Sequence, residues 1–183
     1  SPSVTAPLLR SGGELDRRGR GNPFLVMLDV DGTLAPIVSR PDAAEVPLET
    51  QRAVAQLASR DGVHVVLASG RAAADARRLV RVASVWVIGN HGGEVIAPDG
   101  DSTVDARVAP YRAAMAQVAR RLRTKAAHVA GVTVEDKTWT LTITSRLASP
   151  AVVPGLRGAI EEAIRDAGLR MTEGKMVFEV RPP

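Results

Sequence analysis

The chain has 183 residues, of which 45% are hydrophobic and 24% are charged, an ordinary composition for one large or two small globular domains. No apolar run approaches the roughly 20 residues of a membrane span, no signal-peptide pattern is evident at the start, and the absence of cysteine excludes disulfides and thiolate metal sites. The net charge of +4 could favour anionic ligands, but scattered arginines and only 3% aromatic residues argue against a nucleic-acid surface.

The most informative segment follows an N-terminal stretch, residues 1–22, that mixes Gly, Ser and Arg and is expected to be a flexible lead-in. This segment reads FLVMLDVDGTL, and its five apolar residues, 24–28, favour a strand buried on both faces. Asp29 and Asp31 follow at the carboxyl end of the strand, where open α/β sheets bind ligands. Gly32 lets the chain turn sharply out of the sheet.

The two carboxylates share a strand parity, so both can point toward one site if the extended geometry persists. Two chemistries are open. A divalent hard cation such as Mg²⁺ can sit between them, or one carboxylate can attack phosphorus while the other handles protons. A solvated, Asp-rich turn after a strand is the plain alternative.

Helices and strands alternate through the following residues. The predicted elements are a helix over 48–60, a buried strand over 63–67, a helix over 72–82, a strand over 85–88 and a short hairpin near 95–100. This alternation is typical of a doubly wound, Rossmann-like parallel sheet. We therefore predict an α/β core domain over residues 23–104.

The pattern changes after the hairpin. Two amphipathic helices, 110–128 and 149–167, alternate with strands predicted within 132–143, 169–173 and 176–180. These elements predict a separate small α+β domain over residues 105–181.

Polar residues also follow the second and third predicted strands. Ser69 and Arg71 open a helix, and a hydroxyl, free amides and a guanidinium at that place suit a phosphate. A Ser N-cap followed by a solvated Arg explains the same residues. The third strand ends in GNHGGE, in which two glycines after His91 imply a tight backbone path.

The string DVDGT after an apolar strand resembles DxDGT, the first motif of the haloacid dehalogenase (HAD) superfamily of phosphohydrolases. The resemblance implies that Asp29 is the nucleophile, which becomes an aspartyl phosphate, and that Asp31 is the general acid/base. It also implies that both carboxylates help to hold Mg²⁺. Thr33 matches the position that supports the phosphate site, and Ser69 matches the second motif, so Thr33, Ser69 and Arg71 are the expected phosphate-binding residues.

Within that superfamily, GNHGGE resembles GxHGxE of the trehalose-6-phosphate phosphatases, and LAPI after DGT matches the same branch. The resemblance extends into the second domain, which would be the cap, through an E-x-K motif and a last segment ending in ExRP. The chain has Thr144-Ser145-Arg146 where the branch often reads His-Tyr-Arg, so the Arg fits and the His does not. The implied substrate-binding residues are His91, Glu135, Lys137, Arg146, Lys175 and Glu179.

Residue types alone leave these cap residues ambiguous. Lys175, Glu179 and Arg181 are expected to share one strand face, which could bind sugar hydroxyls or be solvated. Glu135 and Lys137 could equally be an ordinary surface ion pair.

Two further superfamily motifs, a Lys and an acidic pair usually within GDD, belong downstream of the last cap segment and are absent from these 183 residues. In this fold the strands that follow the cap pair beside the first strand. We therefore expect an open edge and exposed apolar surface at the strand carrying Asp29. A piece of a longer polypeptide, complementation by another chain and a non-catalytic module all stay open. The undamaged motifs favour the first, and this chain alone is expected to be a poor or inactive catalyst.

The predicted function is a cytoplasmic, Mg²⁺-dependent phosphatase that hydrolyses trehalose 6-phosphate to trehalose and phosphate. Another HAD sugar-phosphate phosphatase is the nearest alternative, and a catalytically silent partner or sensor domain is the alternative from another class. The expected partners are a small sugar phosphate and either the missing C-terminal core segment or a fused synthase domain, with no membrane and no nucleic acid.

Overall fold

A computed structural model describes residues 23–38 and 41–183 of the chain. Two β-sheets, each with its own hydrophobic cluster, organise these residues. The lead-in predicted over residues 1–22 lies outside the described residues. Within the described ranges, no helix has the length and apolar character needed to cross a membrane.

The first sheet has five strands in the order β1-β2-β3-β4-β5. Its strands and helices are β1 Phe24–Asp29, α1 Leu48–Ala58, β2 Val63–Ala68, α2 Ala73–Val80, β3 Trp86–Gly89, β4 Glu94–Ile96 and β5 Ser102–Val104. The first three strands are parallel, and β4 and β5 form the predicted hairpin, antiparallel to β3. The predicted α/β class is confirmed.

Both helices of this part pack on the same face of the sheet. Val54 of α1 and Ala76 of α2 are buried in one cluster with Val65, Leu67 and Val87. Burying an aliphatic side chain of Val or Leu size stabilises a fold by about 1.5–3 kcal/mol. This cluster holds the carboxyl ends of the strands in fixed register.

The opposite face of the first sheet is open at β1. Leu25 and Met27 are 61% and 57% exposed, and β1 is the edge strand. The prediction that this strand is buried on both faces is therefore wrong for the described residues, because α1 and α2 cover only the other face. Among the described residues, the expected open edge with exposed apolar surface is confirmed.

The second sheet has four antiparallel strands in the order β6-β7-β9-β8. Its elements are α3 Arg112–Ala126, β6 Thr133–Asp136, β7 Leu141–Thr144, α4 Val153–Ile164, β8 Arg170–Gly174 and β9 Val177–Arg181. Short 3₁₀ turns occur at Pro41–Ala43, Asn90–Gly92, Ala109–Tyr111 and Pro150–Val152. Two of these turns precede α3 and α4, which is why both α-helices begin later than predicted.

The two faces of the second sheet differ in character. One face packs against α3 and α4 and buries Leu122, Ile160 and Phe178. The other face carries a cross-strand row of polar side chains, because the strand register aligns them. This polar row consists of Glu135, Thr142, Glu179 and Thr172.

Lys175 does not lie on this polar face. Gly174 pairs with Val177, so Lys175 and Met176 form a two-residue hairpin loop, and Met176 has a left-handed φ of 59°. The prediction that Lys175 shares a strand face with Glu179 is wrong, because β9 begins only at Val177.

Candidate active site

The chain turns immediately after Asp29, the last residue of β1. The carbonyl oxygen of Val30 accepts hydrogen bonds from the N–H groups of Leu34 and Ala35, both at 2.9 Å. Gly32 takes a φ of 86°, a conformation that glycine adopts without strain. The extended geometry therefore ends at Asp29, and the turn, not strand alternation, places Asp31.

Asp31 is held by a two-pronged contact with Arg71. Nε of Arg71 donates to Oδ2 of Asp31, and Nη2 donates to Oδ1, each at 2.8 Å. Nη1 donates to Asp75 at 3.0 Å. The hydrogen bonds to Asp31 raise the pKa of Arg71 further above its usual range, against the opposing effect of burial. Arg71 is only 9% exposed, so the alternative of a solvated Arg is wrong.

Ser69 lies beside Asp29 at the same edge of the sheet. Asp29 pairs with Ala68 in the parallel register, and Ser69 follows directly. The Ser69 N–H donates to the Ile88 carbonyl at 2.9 Å, and its Oγ accepts from the Arg71 N–H at 3.1 Å. Parallel strands thus bring the first two predicted motifs together, because their carboxyl ends share one edge.

Thr33 closes the same turn on the Asp29 side. Its Oγ1 donates to Oδ2 of Asp29 over 3.5 Å, a long contact that leaves the carboxylate exposed. A hydroxyl next to an exposed carboxylate at a strand end suits an incoming phosphoryl group.

His91 reaches across this edge toward the second sheet. A Cβ added at Gly70 would lie 2.6 Å from Cε1 of His91, so the ring needs a glycine beneath it. Nε2 of His91 lies 3.2 Å from Oε2 of Glu179 in β9. His91 and Glu179, both predicted as substrate-binding residues, are therefore in contact.

Lys137 and Glu179 meet at the junction of the two sheets. Nζ of Lys137 donates to the Gly70 carbonyl at 3.1 Å and lies 3.5 Å from Oε1 of Glu179. Thr142 donates to the same oxygen at 3.1 Å. The hydrogen bond from His91, together with the charge of Lys137, lowers the pKa of Glu179 to about 2 against the opposing effect of burial.

Arg146 and Lys175 lie at the other end of the second sheet. Both are exposed. Lys175 is in the β8–β9 loop, and Arg146 lies next to it because the Ser145 N–H donates to the Met176 carbonyl at 3.0 Å. Lys175 is in the hairpin loop before β9, whereas Glu179 lies in the middle of that strand. The structure thus brings Glu135, Lys137 and Glu179 together but places Arg146 and Lys175 apart from them.

A cleft of about 1120 Å³ opens between the two sheets. Arg71 and Asp75 line it from the first sheet, Glu135 and Lys137 from the second, and segment 44–48 forms a further wall. Ligand sites for small molecules are commonly about 300–1,000 Å³. Asp29 and Ser69 lie outside the walls of the cleft, so it suits the remainder of a substrate more than the reacting group.

The carboxylates offer hard oxygen donors, the kind that Mg²⁺ prefers together with water and substrate oxygens. The Asp29 carboxylate is exposed and fits this role, whereas both oxygens of Asp31 bond to Arg71. Among residues 23–38 and 41–183, no group of three or more His, Cys, Asp or Glu side chains is arranged to hold a metal ion. The exposed Asp29 carboxylate is therefore a chemically suitable ligand, but the described residues do not form a complete metal site.

Sequence reasoning assigned no role to two side chains at this edge, Asn90 and Glu94. One Glu94 oxygen, Oε1, accepts from the Ala73 N–H at 2.7 Å, at the start of α2, and from Nδ2 of Asn90 at 2.6 Å. Both residues stand in the quoted string GNHGGE. Their partners lie far away in sequence, so the string itself gave no signal of these contacts.

The parallel sheet with carboxylates at its edge, together with the adjoining α+β unit, gives the chain a HAD-like fold. The profile of the trehalose-phosphatase family matches residues 27–183. The chain therefore belongs to the trehalose-phosphatase family.

Two curated relatives carry different names. The chain is 38% identical over 157 residues to a trehalose-phosphate phosphatase of Mycolicibacterium paratuberculosis, covering 86% of this chain and 40% of that protein. It is 36% identical over 169 residues to an uncharacterized glycosyl hydrolase of Mycobacterium tuberculosis, covering 92% of this chain and 13% of that protein. The chain thus spans less than half the length of these curated relatives.

One solved structure supports the fold. A crystal structure of a trehalose-6-phosphate phosphatase related protein superposes with a TM-score of 0.80 at 23% identity, covering 87% of this chain and 68% of that one. At this identity the likeness concerns the fold alone.

Proposed function

We propose that this chain is the nucleophile-bearing and substrate-selecting part of a Mg²⁺-dependent phosphatase that hydrolyses trehalose 6-phosphate. Residues 23–104 would be its core and residues 105–181 its cap. The carrying observation is that Asp29, the Ser69–Arg71 loop, Lys137 and Glu179 converge on one sheet edge. The activity belongs to the full-length protein, which we expect to be cytoplasmic, with a C-terminal core segment or a fused synthase domain completing it.

The reaction would begin at Asp29. Its exposed carboxylate oxygen attacks phosphorus in line, forming an aspartyl phosphate as the bond from phosphorus to the sugar oxygen breaks. Asp31 gives a proton to the departing sugar oxygen and then takes one from the water that attacks the aspartyl phosphate. Arg71 keeps Asp31 in one orientation, because it bonds both carboxylate oxygens.

Phosphate contacts would come from Thr33, Ser69 and Arg71. The two hydroxyls lie at neighbouring strand ends, beside the nucleophile. Arg71 contacts Asp31 and Asp75 in this structure, so direct contact with phosphate stays a prediction. Mg²⁺ would be held by Asp29, and Asp31 stays a predicted second ligand because both of its oxygens bond to Arg71 in this structure. The ion would offset the repulsion between carboxylate and phosphate.

Sugar recognition would fall to His91 and to cap residues on the polar face. Glu135, Lys137 and Glu179 can donate to or accept from hydroxyl groups, and Glu135 and Lys137 line the cleft. Arg146 and Lys175 would contact the sugar only if it reached the far end of the sheet. Contact of these two residues with the sugar stays a prediction.

Turnover of three substrates tests the proposal in the full-length protein. We expect trehalose 6-phosphate to be hydrolysed with a far higher kcat/KM than glucose 6-phosphate or sucrose 6-phosphate. Equal turnover of all three would refute the trehalose assignment and favour a general sugar-phosphate phosphatase. Absence of turnover on every phosphate monoester would favour the partner or sensor function.

A further inference from the structure

Asn90 is a buried polar side chain at the junction of the two sheets, and the proposed chemistry uses none of its atoms. It follows β3 directly and is only 4% exposed. Its φ of 49° lies in the left-handed region, which Asn tolerates better than most residues. A buried carboxamide needs hydrogen-bond partners, and those of Asn90 lie on both sides of the junction.

The carboxamide bonds across the junction at two points. Oδ1 of Asn90 accepts from Oγ1 of Thr140 at 2.7 Å, and Nδ2 donates to the Lys137 carbonyl at 2.9 Å. Both partners belong to the loop between β6 and β7, in the second sheet. Because Nδ2 faces only acceptors, a carbonyl and the Glu94 carboxylate, the orientation of the amide is determined.

On the side of the first sheet, Asn90 is tied to the loop that carries Ser69. Its N–H donates to the Arg71 carbonyl at 2.7 Å, and the Ser69 carbonyl accepts from the His91 N–H at 3.3 Å. Glu94, which accepts from Nδ2, also holds the first turn of α2. One side chain therefore joins residues 69–71, beside the proposed phosphate site, to residues 137–140 between β6 and β7.

We propose that Asn90 is a positioning residue that locks the cap loop, residues 137–140, onto the phosphate loop, residues 69–71. The lock fixes Lys137 and Glu179 relative to Asp29, and it thereby sets the preference for substrates long enough to reach the cap. This inference rests on the proposed function. Three hydrogen bonds on one side chain, two of them buried and one partly buried, make the joint rigid, because each group left unpaired there is costly.

Asn90→Gly in the full-length protein tests this role, because glycine adopts the left-handed backbone without strain and removes the side chain with its carboxamide. We expect kcat/KM for trehalose 6-phosphate to fall about tenfold or more, since small misplacements of substrate-positioning groups cost up to about 100-fold. Hydrolysis of p-nitrophenyl phosphate, which is too small to need the cap, should fall far less. An equal loss on both substrates would overturn the inference.

A distance measurement tests the lock without any catalysis. Spin labels at Arg52→Cys in α1 and Gln117→Cys in α3, both exposed sites, report the separation of the two sheets in a cysteine-free background. We expect a broader distance distribution in Asn90→Gly and in Thr140→Val, which removes only the hydroxyl. An unchanged distribution in both variants would refute the lock.

The two readouts separate this inference from the proposed function. If the wild type failed to hydrolyse trehalose 6-phosphate, the proposed function would fail, while the label distances would still decide the lock. If Asn90→Gly did not fold, Thr140→Val would give both measurements, with the same outcomes supporting or overturning the inference.

Discussion

The two sheets of this molecule bury their apolar surface in different ways. In the second sheet, helices cover one face and the other face is polar, so its hydrophobic cluster is enclosed. In the first sheet, helices cover one face, but Leu25, Met27 and Trp86 on the other are 61%, 57% and 41% exposed. Apolar surface beside an unpaired strand edge marks a place where further polypeptide can pack.

This difference divides the proposed function between the sheets. The first sheet carries Asp29 at the end of its edge strand β1 and Asp31 in the turn that follows, so the proposed reaction depends on the less enclosed part. The second sheet carries Glu135 and Glu179 on a self-contained scaffold. Changes in the first sheet should therefore affect every substrate, and changes in the second should affect only substrates that contact it.

Asp29→Asn should have the largest effect. We expect hydrolysis of every phosphate ester by the full-length protein to fall at least about a thousandfold, because the amide is not a nucleophile. Steady-state rates on trehalose 6-phosphate and p-nitrophenyl phosphate would measure it. Asp61→Asn, at an exposed turn, is the matched control and should change neither rate. Retained activity in Asp29→Asn would refute the nucleophile assignment.

Glu179→Gln should have an intermediate effect, confined to cap-dependent substrates and to the junction. The pKa of Glu179 lies near 2 instead of 4.5, chiefly because of His91 and Lys137. Its ionised form therefore stabilises the fold above about pH 4.5, and this contribution is lost as the pH falls from 4.5 toward 2.

The free energy of unfolding of wild type and Glu179→Gln, measured from pH 7 to 2, checks this sign. The difference between them should shrink as the pH falls from about 4.5 toward 2. The exposed Glu161→Gln serves as the control. A difference that grew on acidification would contradict the assignment.

At pH 7 we expect Glu179→Gln to lower kcat/KM for trehalose 6-phosphate about tenfold.

Met27→Lys tests the open face of the first sheet. Because Met27 is 57% exposed, we expect the free energy of unfolding of the 183-residue chain to change by less than about 0.5 kcal/mol. Light scattering should show less self-association, since a charge interrupts the apolar face. Ile37→Lys, exposed but outside the sheet, should not change association. A large loss of stability in Met27→Lys would show that this face is covered.

The elements of both sheets were predictable within a few residues. Apolar runs such as Val63 to Leu67 end at residues with strong turn preference, and these local signals fix strand bounds. The apolar runs do not encode which face of a strand is covered by helices. Five apolar residues in β1 predicted burial on both sides, yet packing depends on elements elsewhere in the fold.

The site also contains residues that the sequence predicts and contacts that it does not. Asp29, Asp31 and Ser69 were predictable because short motifs stand directly after strands, and parallel strands gather their ends. The Arg71–Asp31 fork joins residues 40 positions apart, and Asn90 meets Thr140 over 50 positions. A single Asn carries no motif, so only the three-dimensional structure shows what it holds.

Arg146→Ala and Lys175→Ala should have the smallest effects. The sequence pattern predicts both as substrate-binding residues, but the structure places them at the end of the second sheet away from Glu179. We therefore expect each to change kcat/KM for trehalose 6-phosphate less than about twofold, as for solvated charges that make little net contribution. Glu135→Ala, in the polar row beside the cleft, is the comparison and should cost more. A tenfold rise of KM in Arg146→Ala would mean that the sugar reaches the far end of the sheet, and recognition would then involve the whole polar face.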